Sequence, residues 1–219
     1  MSFATAVRGQ GPGVRRHAFA VSIALIALAG CGGAPSPKTN FYSLSVEAAP
    51  VRPESATGPA AATRVLVTRV AIPGVVDRPQ MVSRTASNSV EIHDFHRWAE
   101  PLQEAIPRVI AGNLAQQLGP GHAVSTSPLP GLPPDVRIAV DVQKFEATMG
   151  TGVAVDVLWS VRPGVGEARV GRSTVEEPAA EAGHAGIAAA YSRALAAVAR
   201  DIAVAASALP VSRPAKPRP

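Results

Sequence analysis

In the stretch VRIAVDVQ, residues 136–143, large apolar side chains at Val136, Ile138, Val140 and Val142 alternate with Arg137, Ala139, Asp141 and Gln143. Successive side chains of a β-strand point to opposite faces, so this alternation predicts a strand with one buried face and one face in water. The same alternation returns in VAVDVLWSV, residues 153–161, after the turn-forming Gly150-Thr151-Gly152. Residues 163–166 turn the chain again into a third strand candidate, residues 167–175. Three strands joined by short turns predict an antiparallel meander.

Two helices accompany these strands. Residues 102–118 carry apolar side chains at helical spacing and end before Gly119-Pro120, which is typical of a helix end. Residues 186–208 form an Ala-rich segment whose larger apolar side chains recur every three or four residues, at Ile187, Tyr191, Leu195, Val198 and Ile202. Each stripe gives a helix one apolar face, with which it can cover a sheet.

The first half of the chain contributes shorter strand candidates. Residues 64–72 form a β-branched run that a Pro-Gly pair ends, which predicts a central strand covered on both faces. Residues 80–84 and 89–93 follow, with Ala86-Ser87-Asn88 as the turn between them. The hexapeptide at residues 41–46 is either another short strand or part of a tether, and composition alone leaves both interpretations open.

The order of these elements predicts an α+β fold, a single-domain two-layer sandwich with a mixed, largely antiparallel sheet and two main helices on one face. Pro107 is the irregular feature of the first helix. If that helix starts near Gln103 or Glu104, the proline falls in the first turn at little cost. An earlier start predicts a kink.

The single cysteine, Cys31, ends an apolar run that a basic stretch precedes. Arg8, Arg15 and Arg16 form the positive region of a secretory signal, and residues 18–29 form its short apolar region. This run is about a dozen residues long, against the ~20 that a transmembrane helix needs. The Leu-Ala-Gly-Cys sequence that ends at Cys31 is similar to the lipobox of bacterial lipoproteins, whose cysteine is acylated. We therefore expect cleavage just before Cys31 and lipid attachment to it, rather than a buried free thiol.

The chain thus divides into four predicted segments. These are a cleaved lipoprotein signal at 1–30, an acylated cysteine with a tether at 31–40, a folded domain at 41–208 and a disordered, basic, Pro-rich tail at 209–219. The formal net charge of +5 falls to +2 when the signal leaves with its three arginines and no acids. The tail carries three positive charges, so the body is close to −1. A body without a basic excess argues against a nucleic-acid partner.

The sequence lacks the local motifs of catalysis. It contains no Gly-x-Ser-x-Gly elbow, no phosphate-binding glycine loop and no dinucleotide fingerprint. His93 and His96 are three residues apart, but a catalytic zinc needs a third protein ligand, and no partner pattern is present. His122 and His184 stand in glycine-containing turn sequences. We expect these histidines at the surface or in packing, and we predict no enzymatic activity, no metal and no cofactor.

Two boxes of sequence stand out between the first strand and the first helix. They read IPGVVDRPQMVSR at residues 72–84 and FHRWAEPL at residues 95–102. Together they resemble the signature of the PqiC family of ABC-type transport auxiliary lipoproteins, and residues 41–44 resemble the opening strand of that family. Val76 and Pro107 depart from the family pattern. The residues that carry the resemblance, or that we consider for partner binding, are Asp77, Arg78, Pro79, Gln80, Arg84, Trp98, Glu100 and Pro101.

The resemblance implies a lipid-anchored periplasmic protein. Its expected partners are an MCE-domain protein and the associated ABC permease system, which moves lipids or other hydrophobic molecules between membranes, and it implies possible homo-oligomers. Gly32 follows the cysteine in place of the aspartate that retains enteric lipoproteins at the inner membrane, so the periplasmic face of the outer membrane is favoured. The alternatives are an LptE-like or pilotin-like assembly lipoprotein and a membrane-tethered ligand-binding protein.

The boxed residues allow a structural role and an interface role. Asp77 and Arg78 can pair or cap the turn that Pro79 fixes, while Trp98 packs beneath the first helix and Glu100 lies at its N-terminus. Alternatively Asp77, Arg78 and Arg84 face a protein partner, because arginine is favoured among interface anchors. The structural role is the favoured one.

Overall fold

The computed structural model describes residues 37–48 and 63–209, so Cys31, the signal and the tail beyond Leu209 lie outside the described residues. The described residues form eight strands and two helices. In chain order these are β1 (Asn40–Tyr42), β2 (Thr63–Ala71), β3 (Gln80–Ala86), β4 (Ser89–Trp98), α1 (Leu102–Leu118), β5 (His122–Ser125), β6 (Val136–Thr148), β7 (Gly152–Pro163), β8 (Arg169–Pro178) and α2 (Gly183–Ser207). Neither helix in these residues is long and apolar enough to cross a membrane.

The larger sheet has the strand order β5-β2-β6-β7-β8. Its last three strands form the predicted antiparallel meander, in which Val140 is opposite Trp159 and Val157 is opposite Ser173. β2 is parallel to both of its neighbours, β5 and β6. It is an interior strand, and its residues 65–67 are buried on both faces, as the β-branched run predicts.

A second, three-stranded sheet has the order β1-β4-β3. β3 and β4 form an antiparallel hairpin around a turn at Ser87 and Asn88. β1 is parallel to β4 and short: it covers residues 40–42, so only Phe41 and Tyr42 of the hexapeptide at residues 41–46 pair as a strand. The chain after β1 packs on the helices instead: Leu44 is buried, and the backbone N–H of Ser45 donates to the Ser192 hydroxyl at 3.1 Å.

Both helices cover the same face of the five-stranded sheet. Helix α1 lies over β2 and β5, helix α2 lies over β7 and β8, and the two helices also pack against each other. The inward face of each helix is fully buried at Ile106, Val109, Ile110 and Leu114 in α1 and at Tyr191, Leu195, Val198 and Ile202 in α2. This arrangement confirms the α+β fold class, with the strands divided between two mixed sheets.

Helix α1 spans residues 102–118, as predicted, and the carbonyl of Pro101 accepts the backbone N–H groups of Glu104 and Ala105 at 2.9 and 3.0 Å. The start at Leu102 is the earlier of the two possibilities considered for Pro107. The proline therefore lies in the second turn, where its ring nitrogen cannot donate to the carbonyl of Gln103. Pro107 is buried, so its ring contributes apolar surface at this position.

Candidate functional site

The two sequence boxes meet at one corner of the small sheet. The backbone N–H of Trp98 donates to the carbonyl of Pro79 at 2.7 Å, and Gln80 is paired with Arg97 in the ladder. The loop before β3 is closed by its own hydrogen bonds, from the N–H of Val76 to the carbonyl of Pro73 and from the N–H of Arg78 to the carbonyl of Val76, at 3.0 and 2.8 Å. Segments about twenty residues apart in sequence thus form one continuous surface.

Side chains of helix α1 hold this corner in place. The amide nitrogen of Gln103 donates to the Asp77 carboxylate at 2.7 Å, and Arg108 forms an ion pair with Glu100. Asp77 thus bonds to the helix rather than to Arg78. Sequence reasoning did not identify Gln103 or Arg108 as partners, because their side chains reach back from the first two turns of the helix to the loop.

Trp98 is the buried member of the two boxes. Its indole is 7% exposed and meets the ring of Tyr191 edge to face, with ring centroids 6.0 Å apart. Tyr191 belongs to α2, so Trp98 joins the small sheet to the second helix. Aromatic pairs in this geometry add roughly 0.5–1.5 kcal/mol beyond the area they bury.

Arg84 lies apart from the corner, in the second half of β3. Its guanidinium forms an ion pair with Glu146 of β6 and donates to the carbonyl of Ser87 at 2.7 Å. The hydrogen bond from Arg84 holds the pKa of Glu146 below its ordinary value, against the opposing effect of burial. The pair connects the small sheet to the large one, and no local sequence pattern indicates it.

A cluster of three histidines lies between β4 and the start of α2. The rings of His96 and His184 stack with centroids 3.6 Å apart, and His93 meets His184 edge to face at 4.4 Å. The Tyr42 hydroxyl is 2.8 Å from Nδ1 of His96, and the Ser83 hydroxyl is 2.8 Å from Nε2 of His93. We define these three rings as the histidine cluster.

The three histidine rings pack against one another, and their nitrogen atoms do not point to a common position that an ion could occupy. Stacked imidazoles do not aim their nitrogens at one point, and the described part of the chain contains no group of three or more potential ligands that could hold a metal. Nε2 of His184 is buried without a hydrogen-bond partner. Burial, then the nearby His96 and His93, lower the pKa of His184 from the ordinary 6.5 to about 4.

Comparison with known proteins places the chain in a family. The model of the family described as "ABC-type transport auxiliary lipoprotein component" matches residues 42–203. The chain therefore belongs to this family, as the resemblance of its two boxes to the PqiC-like signature predicts. A comparison with curated proteins finds no match.

Solved structures share the fold. One, described as the crystal structure of an uncharacterized protein, has 22% identity and a TM-score of 0.63, and the match covers 77% of this chain and 99% of that chain. Another is protein XCC0632 from Xanthomonas campestris, of family DUF330, with 17% identity, a TM-score of 0.57 and coverage of 75% and 93%. At these identities the likeness concerns the fold alone.

We predict that Trp98→Ala destabilises the domain. Removing the indole leaves a cavity against Tyr191, and such truncations cost about 3–5 kcal/mol of unfolding free energy. Urea denaturation followed by circular dichroism measures this loss. Phe95→Ala, on the same strand but 45% exposed, is the matched control and should change the unfolding free energy by less than about 0.5 kcal/mol. Equal effects of the two substitutions would contradict the role assigned to Trp98.

We also predict that the histidine cluster makes stability depend on pH. The unfolded chain binds a proton at His184 below pH 6.5, whereas the folded chain resists it until about pH 4, so stability should fall as the pH drops through this window. The carboxylate of Glu91 is 3.8 Å from Nδ1 of His93, and the hydroxyl of Tyr42 faces the cluster from β1.

Melting temperatures of the unaltered chain and of His184→Phe, taken between pH 7 and pH 4.5, test this pH dependence. The phenyl ring retains the stacking surface and cannot take up a proton, so the variant should lose fewer degrees over this range. His122→Phe is the control, because His122 bonds the carbonyl of Leu118 away from the cluster. If the melting temperatures of all three proteins fall equally over this pH range, His184 is not the cause of the pH dependence.

Proposed function

We propose that this protein is a lipid-anchored, periplasmic auxiliary subunit of an MCE/ABC-type system that moves lipids or other hydrophobic molecules between membranes. It acts by protein–protein interaction, not by catalysis. The family match over residues 42–203 carries the proposal, because the family is by description an auxiliary lipoprotein of ABC-type transport. Within the two boxes, the PqiC-like residues Asp77–Gln80 and Trp98–Leu102 support the more specific assignment to an MCE system.

The proposed anchor is a multiply acylated Cys31. Each buried methylene contributes about 0.8 kcal/mol, and stable anchoring takes more than one acyl chain. Gly32 supports placement at the periplasmic face of the outer membrane, with the inner membrane as the less favoured location.

The proposed contact surface is the loop of residues 73–79. Val75 at its tip is 47% exposed, and Nε of Arg78 is buried without a hydrogen-bond partner. The hydrogen bonds within the loop and the bond between Asp77 and Gln103 fix its shape before a partner arrives. A pre-organised loop loses little conformational entropy on binding, and arginine beside an apolar residue is typical of interface anchors.

Membrane retention tests the anchor. Cys31→Ser removes the acylation site and should release the protein from washed membranes that retain the unaltered chain, while its circular dichroism spectrum and melting temperature stay unchanged. Fractionation with immunodetection measures retention. A variant that stays on the membrane in full amount, with its signal removed, would contradict the proposed anchor.

Affinity purification of the detergent-extracted, acylated chain, followed by mass spectrometry, tests the partner. We expect an MCE-domain protein, with recovery reduced about tenfold or more by Arg78→Ala, which corresponds to about 1.4 kcal/mol or more of binding free energy. Arg162→Ala is the matched control, because Arg162 is an exposed arginine of β7 remote from the loop. Recovery of an outer-membrane β-barrel or a secretin instead would favour an LptE-like or pilotin-like assembly factor.

A further inference from the structure

Four exposed apolar side chains lie on the three-stranded sheet. Phe41 of β1 is 65% exposed, and Val90, Ile92 and Phe95 of β4 are 44%, 43% and 45% exposed. Single exposed apolar residues are common on soluble proteins, but contiguous groups of them mark surfaces that bind a protein or a membrane. Four such residues on two paired strands therefore require an explanation.

These four side chains share one face of the small sheet. His93 and His96 both contact His184 although they are three positions apart, because the ladder between β3 and β4 shifts register between His93 and Arg97. Ile92 and Phe95, each next to one of these histidines, therefore lie on the opposite side. Phe41 likewise neighbours Tyr42, whose hydroxyl lies against His96. We call Phe41, Val90, Ile92 and Phe95 the outer apolar face.

The parallel pairing of β1 with β4 brings the two phenylalanines together. Phe41 is directly opposite Arg97, and Phe95 is two residues before Arg97 on the same face of β4. The Arg97 side chain bonds the carbonyl of Asp94 at 3.0 Å, and Lys38 stands exposed just before β1. The nearby acids are Asp94 and Glu91, both exposed. Aromatic rings flanked by long basic side chains suit the boundary between lipid headgroups and acyl chains.

Chain length restricts how far this face can be from the proposed anchor. Phe41 follows Cys31 by ten residues. A fully extended chain spans at most about 3.3–3.6 Å per residue, so Phe41 stays within roughly 35 Å of an acylated Cys31. Among the described residues, Phe41 is the most exposed phenylalanine, and it belongs to the strand closest in sequence to Cys31.

We propose that the outer apolar face docks on the bilayer interface to which Cys31 is anchored, with the rings of Phe41 and Phe95 inserted among the lipid headgroups. This inference rests on the acylation of Cys31 in the proposed function. The acyl chains alone would leave the domain free to rotate on its tether. Docking of a second surface fixes which side of the domain faces the bilayer.

The test uses the full acylated chain reconstituted in liposomes whose phospholipids carry bromine on their acyl chains. Bromine quenches tryptophan fluorescence only at short range. The variant Phe95→Trp places a reporter on the outer apolar face. The control Val165→Trp places one on a residue that is 77% exposed in the turn after β7. Val165 follows the end of β7 that pairs with Val136. Phe145, which stacks on Tyr191, lies toward the other end of β6, so the control position is far along the large sheet from the aromatic contact with the small sheet.

We expect the emission that Phe95→Trp adds to be quenched roughly twofold more than the emission that Val165→Trp adds, as insertion at the acyl boundary requires. Aqueous iodide should show the reverse order. Equal accessibility of both reporters to iodide would overturn the docking. A reporter at position 95 shielded from both bromine and iodide would also overturn it, because a second copy of the chain would then cover the face.

Flotation of the liposomes separates this inference from the proposed function. If the chain does not float with the lipid, the proposed acylation fails, and the inference that rests on it fails as well. If the chain floats and Phe95→Trp is not quenched, the anchor stands and only the docking is wrong. Melting temperatures measured in the liposomes establish that both variants are folded.

Discussion

The buried ring of Tyr191 connects the two sheets to the second helix, and the rest of the fold depends on this contact. Phe145 of the large sheet stacks on the Tyr191 ring with centroids 3.8 Å apart, and Trp98 of the small sheet meets it edge to face. In the part of the chain that the structure describes, no ladder hydrogen bonds join the two sheets. Side-chain contacts must therefore hold the sheets together, and the three aromatic rings, with the ion pair between Arg84 and Glu146, provide them. Burial raises the pKa of Tyr191 well above its ordinary value, so its ring stays neutral inside the core.

The large sheet could be predicted from sequence, whereas the small sheet could be predicted only in part. β6 buries one face and exposes the other along most of its length, and β7 does so less completely, because Asp156 is also buried. In the sequence this asymmetry appears as a large apolar side chain at every second position of residues 136–142 and 153–161. β4 gives a weaker signal, because its outer side is apolar at Ile92 and its inner side carries polar His93. The parallel pairing of β1 with β4 joins residues more than fifty positions apart through three ladder positions, and no local pattern encodes such a pairing.

The candidate site, too, could be predicted from sequence only in part. The two boxes were recognisable as family motifs, and the hydrogen bond between Pro79 and Trp98 explains why they occur together. The residues that pair with these boxes, Gln103, Arg108 and Glu146, could not be inferred from sequence. Many polar side chains could in principle form these bonds, and only the folded structure decides which of them are close enough. The histidine cluster was equally hidden. The glycine-containing sequence around His184 suggests a turn, but His184 lies in the first turn of α2, 88 residues after His96. Only the packing of α2 on the small sheet brings the two rings into contact.

β4 contributes residues to both the histidine cluster and the outer apolar face. Its inner side carries the histidines that pack on the start of α2, and its outer side carries the apolar residues that we propose to dock on the membrane. Because neighbouring residues of one strand supply both sides, a force that displaces the outer face also moves His93 and His96 against His184. The half-buried His184 ring resists protonation, so the contact stays uncharged at neutral pH and weakens as the ring becomes charged. Because β4 is held against α2, docking of the outer apolar face on a membrane would orient the whole domain. It would also orient the loop of residues 73–79.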